Sequence, residues 1–208
     1  MGNFAPAAIF GAACAWQMLG LHEVGLAATA DPTLVLSALQ KGLTTVFLGL
    51  ITILCLIRHP RQGRTATKSG AAVALAGTSL PVLLTLAPPQ PPDPVFLTVG
   101  AALLITGTAW TILALAALGR SFGVLPEARG LATNGPYRLI RHPVYLGEIV
   151  VLAGVAVTTP SPFALGLFAT FVALQYWRAI NEELVLARAF PDYDGYARTT
   201  WRILPGLH

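Results

Sequence analysis

Charge is what this sequence has least of. Only 11% of its 208 residues are Asp, Glu, Lys or Arg, where a soluble domain carries about 25%. Hydrophobic residues make up 55%, and the mean hydropathy is +0.67. Such a chain cannot cover itself with a water-compatible surface, so it reads as an integral membrane protein. Cysteine occurs twice, as Cys14 and Cys55, each inside an apolar run and in no metal-type spacing. No disulfide framework or structural zinc is thereby implied. No P-loop or iron-binding pattern is present, and the lack of a G-x-G-x-x-G strand–helix unit excludes a soluble Rossmann fold. The first apolar run has no basic residue before it and no convincing A-x-A site, so it is expected to be a retained span, not a cleaved signal.

What remains is organised as apolar runs with basic punctuation. A spanning helix needs about 20 apolar residues, and runs over 4–30, 34–57, 70–87, 95–118, 143–157 and 163–177 offer about six spans, five or six. Pro81 is expected to kink the third. The last is expected to continue past Arg178 as an amphipathic extension towards Ala189, before Pro191 and Gly195 break it. The expected fold is therefore an all-α, polytopic membrane helix bundle. Arg58, Arg61, Arg64 and Lys68 share one polar segment, Arg120, Arg129, Arg138 and Arg141 another, and Arg178, Arg188, Arg198 and Arg202 the tail. With six spans these segments fall on one side, and the positive-inside rule places them and both termini in the cytoplasm. The net charge of +4 thus concerns topology, and no nucleic acid is expected as a partner.

The sharpest transition lies in N-G-P-Y-R-L-I-R-H-P-V-Y-L-G-E, residues 134–148. Pro143 is suited to the first position of a helix, where its missing N–H is not needed. Arg141 and His142 then stand at a helix N-terminus, whose unpaired N–H groups and dipole favour an anion. Tyr145 and Glu148 are three apart, on one face of that helix. Leu56–Pro60 copies Leu139–Pro143, but the first copy closes a span where the second opens one. It reads as a boundary motif. Further on, Arg178 and Glu182 stand four apart, which puts them on one helix face as a surface ion pair or as half of a site.

The pattern G-P-Y-R-x-x-R-H-P-x-Y-x-G resembles the signature of the isoprenylcysteine carboxyl methyltransferase family, which also includes membrane phospholipid methyltransferases. Arg178 followed by Glu182 and Glu183, then Phe190, Tyr193 and Tyr196, resembles a second feature of that family, and Leu118–Phe122 fits upstream. The resemblance covers residues 118–205. It implies two parts, N-terminal transmembrane helices over 1–117 and a methyltransferase core over 118–208. It also implies an S-adenosylmethionine pocket at the cytoplasmic face, lined by Arg129, Gly130, Leu131, Ala132, Tyr137, His142, Pro143, Val144, Tyr145 and Glu182. Arg178 matches the family's substrate-side arginine. No metal is implied.

The resemblance further implies a hydrophobic or prenylated acceptor entering from the bilayer, with carboxyl O-methylation of an isoprenylcysteine-like substrate foremost. A carboxylate nucleophile needs only alignment and removal of water. An amine or hydroxyl acceptor on a phospholipid or other hydrophobic molecule needs a proton acceptor, with Glu148, Glu183 or a tyrosine nearby. Two lysines in a chain rich in Ala, Gly, Leu and Arg suggest a prokaryotic membrane. The non-enzymatic alternative is a scaffold whose basic segments bind lipid headgroups.

Overall fold

The computed structural model describes residues 4–27, 32–60, 67–81, 83 and 93–206. Seven α-helices are found there: α1 (Phe4–Ala27), α2 (Pro32–Ile57), α3 (Lys68–Ser79), α4 (Pro94–Leu118), α5 (Pro143–Thr158), α6 (Pro162–Ala189) and α7 (Tyr193–Thr199). Three of them begin where a short polar side chain takes up unpaired N–H groups. Thr67 accepts from the Gly70 N–H, Asp93 from Val95 and Phe96, and Ser161 from Ala164. Pro94, Pro143 and Pro162 occupy first-turn positions. No strand forms among the described residues, and one isolated bridge joins Ile140 to Trp201 in parallel.

Three segments are long and apolar enough to cross a membrane, namely Ala38–Ile57, Pro94–Ser121 and Pro162–Ala189. Pro6–Leu19 and Pro143–Thr158 are shorter apolar helices. The run expected over 70–87 departs furthest from its reading. Its α-helix stops at Ser79 and tightens into a 3-10 turn around Leu80 and Pro81. Proline has no N–H to continue the ladder, so Pro81 stands where the helix ends instead of bending it; residues 84–92 lie outside the described ones. Arg61 and Arg64 also lie outside them. The continuation of α6 past Arg178 to Ala189 is as the sequence implies.

The tightest seam runs between α4 and α5, and glycine makes it. A Cβ on Gly107 would lie 2.8 Å from the Val151 nitrogen and 3.0 Å from the Gly147 carbonyl oxygen. A Cβ on Gly154 would lie 2.7 Å from the Gly100 carbonyl oxygen. Backbone meets backbone at both levels, the small-residue contact by which helices associate in lipid. Above the seam, the Trp110 indole donates to the Pro143 carbonyl at 2.8 Å and ties α4 to the first turn of α5.

Two non-helical segments close over one end of α5 and α6. After α7 the tail turns back beside residues 139–142: Arg141 N–H donates to the Trp201 carbonyl, His142 N–H to Arg202, and Trp201 N–H to Leu139. The segment after α4 docks on the end of α2. Arg120 donates from Nε to the Ile57 carbonyl at 3.0 Å, and Arg129 donates to the His59 carbonyl.

Candidate functional site

The site is built as a ladder between one face of α5 and one face of α6. Leu152, Glu148 and Tyr145 recur at three- and four-residue spacing on α5, as do Phe171, Gln175, Arg178 and Glu182 on α6. The rungs meet in register. Leu152 packs with Phe171 in an apolar cluster. One rung nearer the end, the Gln175 amide donates to Glu148. The Arg178 guanidinium then lies over the Tyr145 ring, 4.8 Å from its centroid. Last, the Tyr145 hydroxyl donates to Glu182 at 2.5 Å. From Gln175 to Glu182 is seven residues, or about 10 Å along the helix. Polarity therefore rises over that distance from hydrocarbon to a charged mouth.

At the mouth, Glu183 is the hub. It accepts from Arg141 Nε at 2.9 Å, from Arg202 at 2.9 and 3.0 Å, and faces His142 Nε2 at 3.2 Å. Arg141, only 6% exposed, also donates to the carbonyls of Ala197 and Thr200. Glu183 thus binds the start of α5 to the returning tail. His142 caps α5 by position and uses no side-chain bond to do so. Its ring stacks on Tyr145 at 5.1 Å, and Nδ1 lies 3.7 Å from Glu182. The anion expected at this helix start is supplied at least in part by the protein's own carboxylates.

Arg178 and Glu182, four apart as read, do not pair with each other. Glu182 goes to Tyr145, and Arg178 donates through Nη2 to the Val124 carbonyl at 3.0 Å. Both partners sit on other segments, and buried groups take the partners that the fold brings within reach. The Arg178 Nε and the Tyr193 hydroxyl are buried with no partner among the described residues.

These groups surround one cavity of about 390 Å³, a volume suited to a small ligand. Gly130, Leu131, Ala132, Tyr137, His142, Val144, Tyr145, Glu182 and Arg178 all line it. Two residues implied by the resemblance stand behind its wall. Arg129 is 5% exposed, paired with Glu127 at 2.5 Å while it holds His59. Pro143 is buried at the first turn of α5. The cavity continues past Arg178 into an apolar chamber bounded by Phe10, Phe47, Ile51, Leu115 and Phe171.

The mouth also holds three phenols. Burial raises the Tyr137 and Tyr193 hydroxyls well above the ordinary phenol range, and pushes Tyr196 up to about 12. The carboxylates Glu182 and Glu183 work in the same direction, so these phenols are neutral donors at physiological pH. Tyr196 donates to the Tyr137 carbonyl at 2.7 Å and fixes that residue over the cavity. Gln175 is the site residue that the sequence reading passed over. Its signal was there: a long polar side chain inside an apolar run, three before Arg178, matching the three from Tyr145 to Glu148.

Residues 95–193 match the phospholipid methyltransferase family. The chain is 34% identical over 114 residues to the nickel-cobalt-cadmium resistance protein NccN of Alcaligenes xylosoxydans xylosoxydans, covering 52% of this chain and 53% of that protein. It is 36% identical over 90 residues to protein-S-isoprenylcysteine O-methyltransferase A of Arabidopsis thaliana, covering 41% and 44%. To a probable protein-S-isoprenylcysteine O-methyltransferase of Oryza sativa subsp. japonica it is 31% identical over 118 residues, covering 51% and 60%. The chain spans about half the length of the curated relatives it matches. The family match begins in α4 and ends at Tyr193, so both sides of the ladder fall inside it.

Proposed function

From residues 95–193, which belong to the phospholipid methyltransferase family, we propose that this protein is a membrane-embedded, S-adenosylmethionine-dependent methyltransferase acting on a lipid-like acceptor. The observation that carries the reading is the continuity of the cavity. One space joins a charged, phenol-lined mouth to a hydrocarbon chamber, and Arg178, Tyr145 and Glu148 stand where the two meet.

The mouth suits a nucleoside bearing an amino acid. The Tyr193 hydroxyl is a buried donor without a partner among the described residues, and such donors are costly unless a ligand takes them. Glu182, Tyr137, His142, Val144, Tyr145 and the 130–132 segment would hold the cofactor, with Arg129 and Pro143 fixing the segment and the helix start from behind. When bound, it supplies a methyl group on a positively charged sulfonium. The chamber excludes water from the acceptor end, which protects the transfer. Residues 118–208 form the methyltransferase core, and α1, α2 and α3 from the preceding part complete its apolar wall.

The topology belongs to the same proposal. Six crossings put both termini, the basic segments and the mouth on the cytoplasmic side of a prokaryotic membrane, so the cofactor enters from water and the acceptor from lipid. The isoprenylcysteine relatives make a carboxylate the first nucleophile to consider, with Arg178 as a planar two-point clamp. The second reading, methylation of an amine or hydroxyl on a phospholipid or other hydrophobic molecule, is favoured by Glu148 on the cavity wall. Titrating the detergent-solubilised protein with S-adenosylhomocysteine tests the proposal. One-to-one binding is expected, and absence of binding would sink the enzyme reading.

A further inference from the structure

We infer that Glu148 is the proton acceptor of this site, and that the methyl acceptor is therefore a protic nucleophile, a hydroxyl or an amine, carried on an apolar chain. This rests on the methyltransferase reading above.

Glu148 lies in the second turn of a helix that is otherwise apolar from Leu146 to Val157. A carboxylate at such depth is expensive and marks function by default. It lines the cavity on the chamber side of Arg178, about 10 Å deeper than Glu182 by the rise of α6. Its one described side-chain bond comes from the Gln175 amide, which leaves acceptor positions on the carboxylate for another donor. Gln175 is fully buried, against α3, where a Cβ on Gly77 would lie 3.4 Å from its Oε1. It acts as a positioning residue that aims Glu148.

The other bases around the cavity are engaged elsewhere. Glu183 holds Arg141, Arg202 and His142. Glu182 accepts from Tyr145, and Glu127 is held by Arg129. Both His142 nitrogens face carboxylates, at 3.2 and 3.7 Å. Tyr137, Tyr193 and Tyr196 stay protonated as neutral donors. By position and by elimination, Glu148 is the base that the chamber offers.

Its presence also discriminates between nucleophiles. A carboxylate acceptor lodged beside Glu148 would set two like charges in a space of low dielectric, with Arg178 the one cation on that part of the wall among the described residues. A hydroxyl or neutral amine meets no such repulsion. In the step, the acceptor oxygen or nitrogen forms a bond to the methyl carbon. The bond from that carbon to the sulfonium breaks, and its electron pair stays on sulfur as a thioether. The O–H or N–H proton passes to Glu148, which becomes a neutral carboxylic acid. Charge and atoms balance with no further reactant.

The test uses the full-length protein in membranes, incubated with S-adenosylmethionine carrying a labelled methyl group. Lipid-extractable label is then treated with alkali: methyl esters of carboxylates release volatile methanol, whereas N-methyl groups and methyl ethers keep their label. Alkali-resistant label is expected. Glu148→Gln, which keeps size and a hydrogen bond to Gln175, should lower its formation about 100-fold, the usual worth of a general base. Its S-adenosylhomocysteine affinity should stay within about twofold, which shows that the variant is folded. Glu148→Asp should recover about tenfold over the Gln variant, since it restores a carboxylate. Label lost entirely to methanol, or transfer unimpaired by Glu148→Gln, would overturn the inference. So would loss of nucleoside binding in Glu148→Gln, and so would binding by the wild type without transfer to either class. Wild-type protein that fails to bind the nucleoside at all instead removes the parent reading.

Discussion

Leu56–Pro60 and Leu139–Pro143 have the same five residues, L-I-R-H-P, and the protein uses them in opposite ways. The first closes α2, and its His59 is held through the backbone. The His59 N–H donates to the Arg120 carbonyl at 2.8 Å, and the His59 carbonyl accepts from Arg129. The second precedes α5, and there the side chains work: Arg141 and His142 turn inward to Glu183 and Glu182. The difference comes from direction along the chain. A proline after a helix ends it and leaves the backbone before it available as a docking edge. A proline at the start of a helix fixes the first turn and aims the preceding side chains at whatever packs alongside. The first copy is thus more than the boundary mark read from sequence, because it anchors the segment that walls the cavity.

The comparison can be broken most severely at Arg141. Arg141→Met leaves Glu183 short of a buried cation and strands two carbonyls, so it should cost about 3 kcal/mol. For a chain of this length that lowers the unfolding midpoint in detergent by roughly 6–12 °C. A shift near zero would mean that the tail does not depend on this hub. Next in size is His142→Ala, which removes a charge-assisted contact worth about 1.5 kcal/mol and should weaken S-adenosylhomocysteine binding about tenfold. Calorimetric titration of that variant beside the wild type reads it directly.

Smaller still is Arg129→Ala. This residue touches the first copy and not the cavity, so its loss should loosen the 119–131 segment and weaken nucleoside binding by about threefold, or about 0.7 kcal/mol. An effect as large as that of His142→Ala would place Arg129 on the ligand. The smallest change belongs to His59→Ala, whose described contacts are all backbone. Affinity should move by less than about twofold. If His59→Ala and His142→Ala weakened binding equally, the two copies would have equal roles and the cavity would have been assigned to the wrong helix start.

The sequence made the second copy legible because its cues are local. Pro143 marks a helix start, Tyr145 and Glu148 share a face by spacing, and α6 runs on past Arg178. What stayed hidden depends on residues far apart in the chain. The Glu183 hub needs Arg202 to return beside Arg141, and no period in the sequence announces the pairing of Ile140 with Trp201. The Arg178–Glu182 spacing left a surface ion pair and half of a site both open; the two line one cavity without pairing, each bound to another segment. The run over 70–87 was read as one kinked helix for a related reason: hydropathy sums apolar residues and is blind to the N–H that Pro81 lacks.

The α4–α5 seam has a mechanical consequence. At Gly107 and Gly154 the obstacle to any added atom is main chain, which cannot swing aside as a rotamer does. The two helices therefore behave as a single stiff plate, and a bulky guest cannot force them apart without breaking the contact at both levels. Any breathing that admits a guest to the cavity is left to the opposite walls, on α2, α3 and α6. The α4–α5 plate is the fixed jaw of a vice, against which the other walls close.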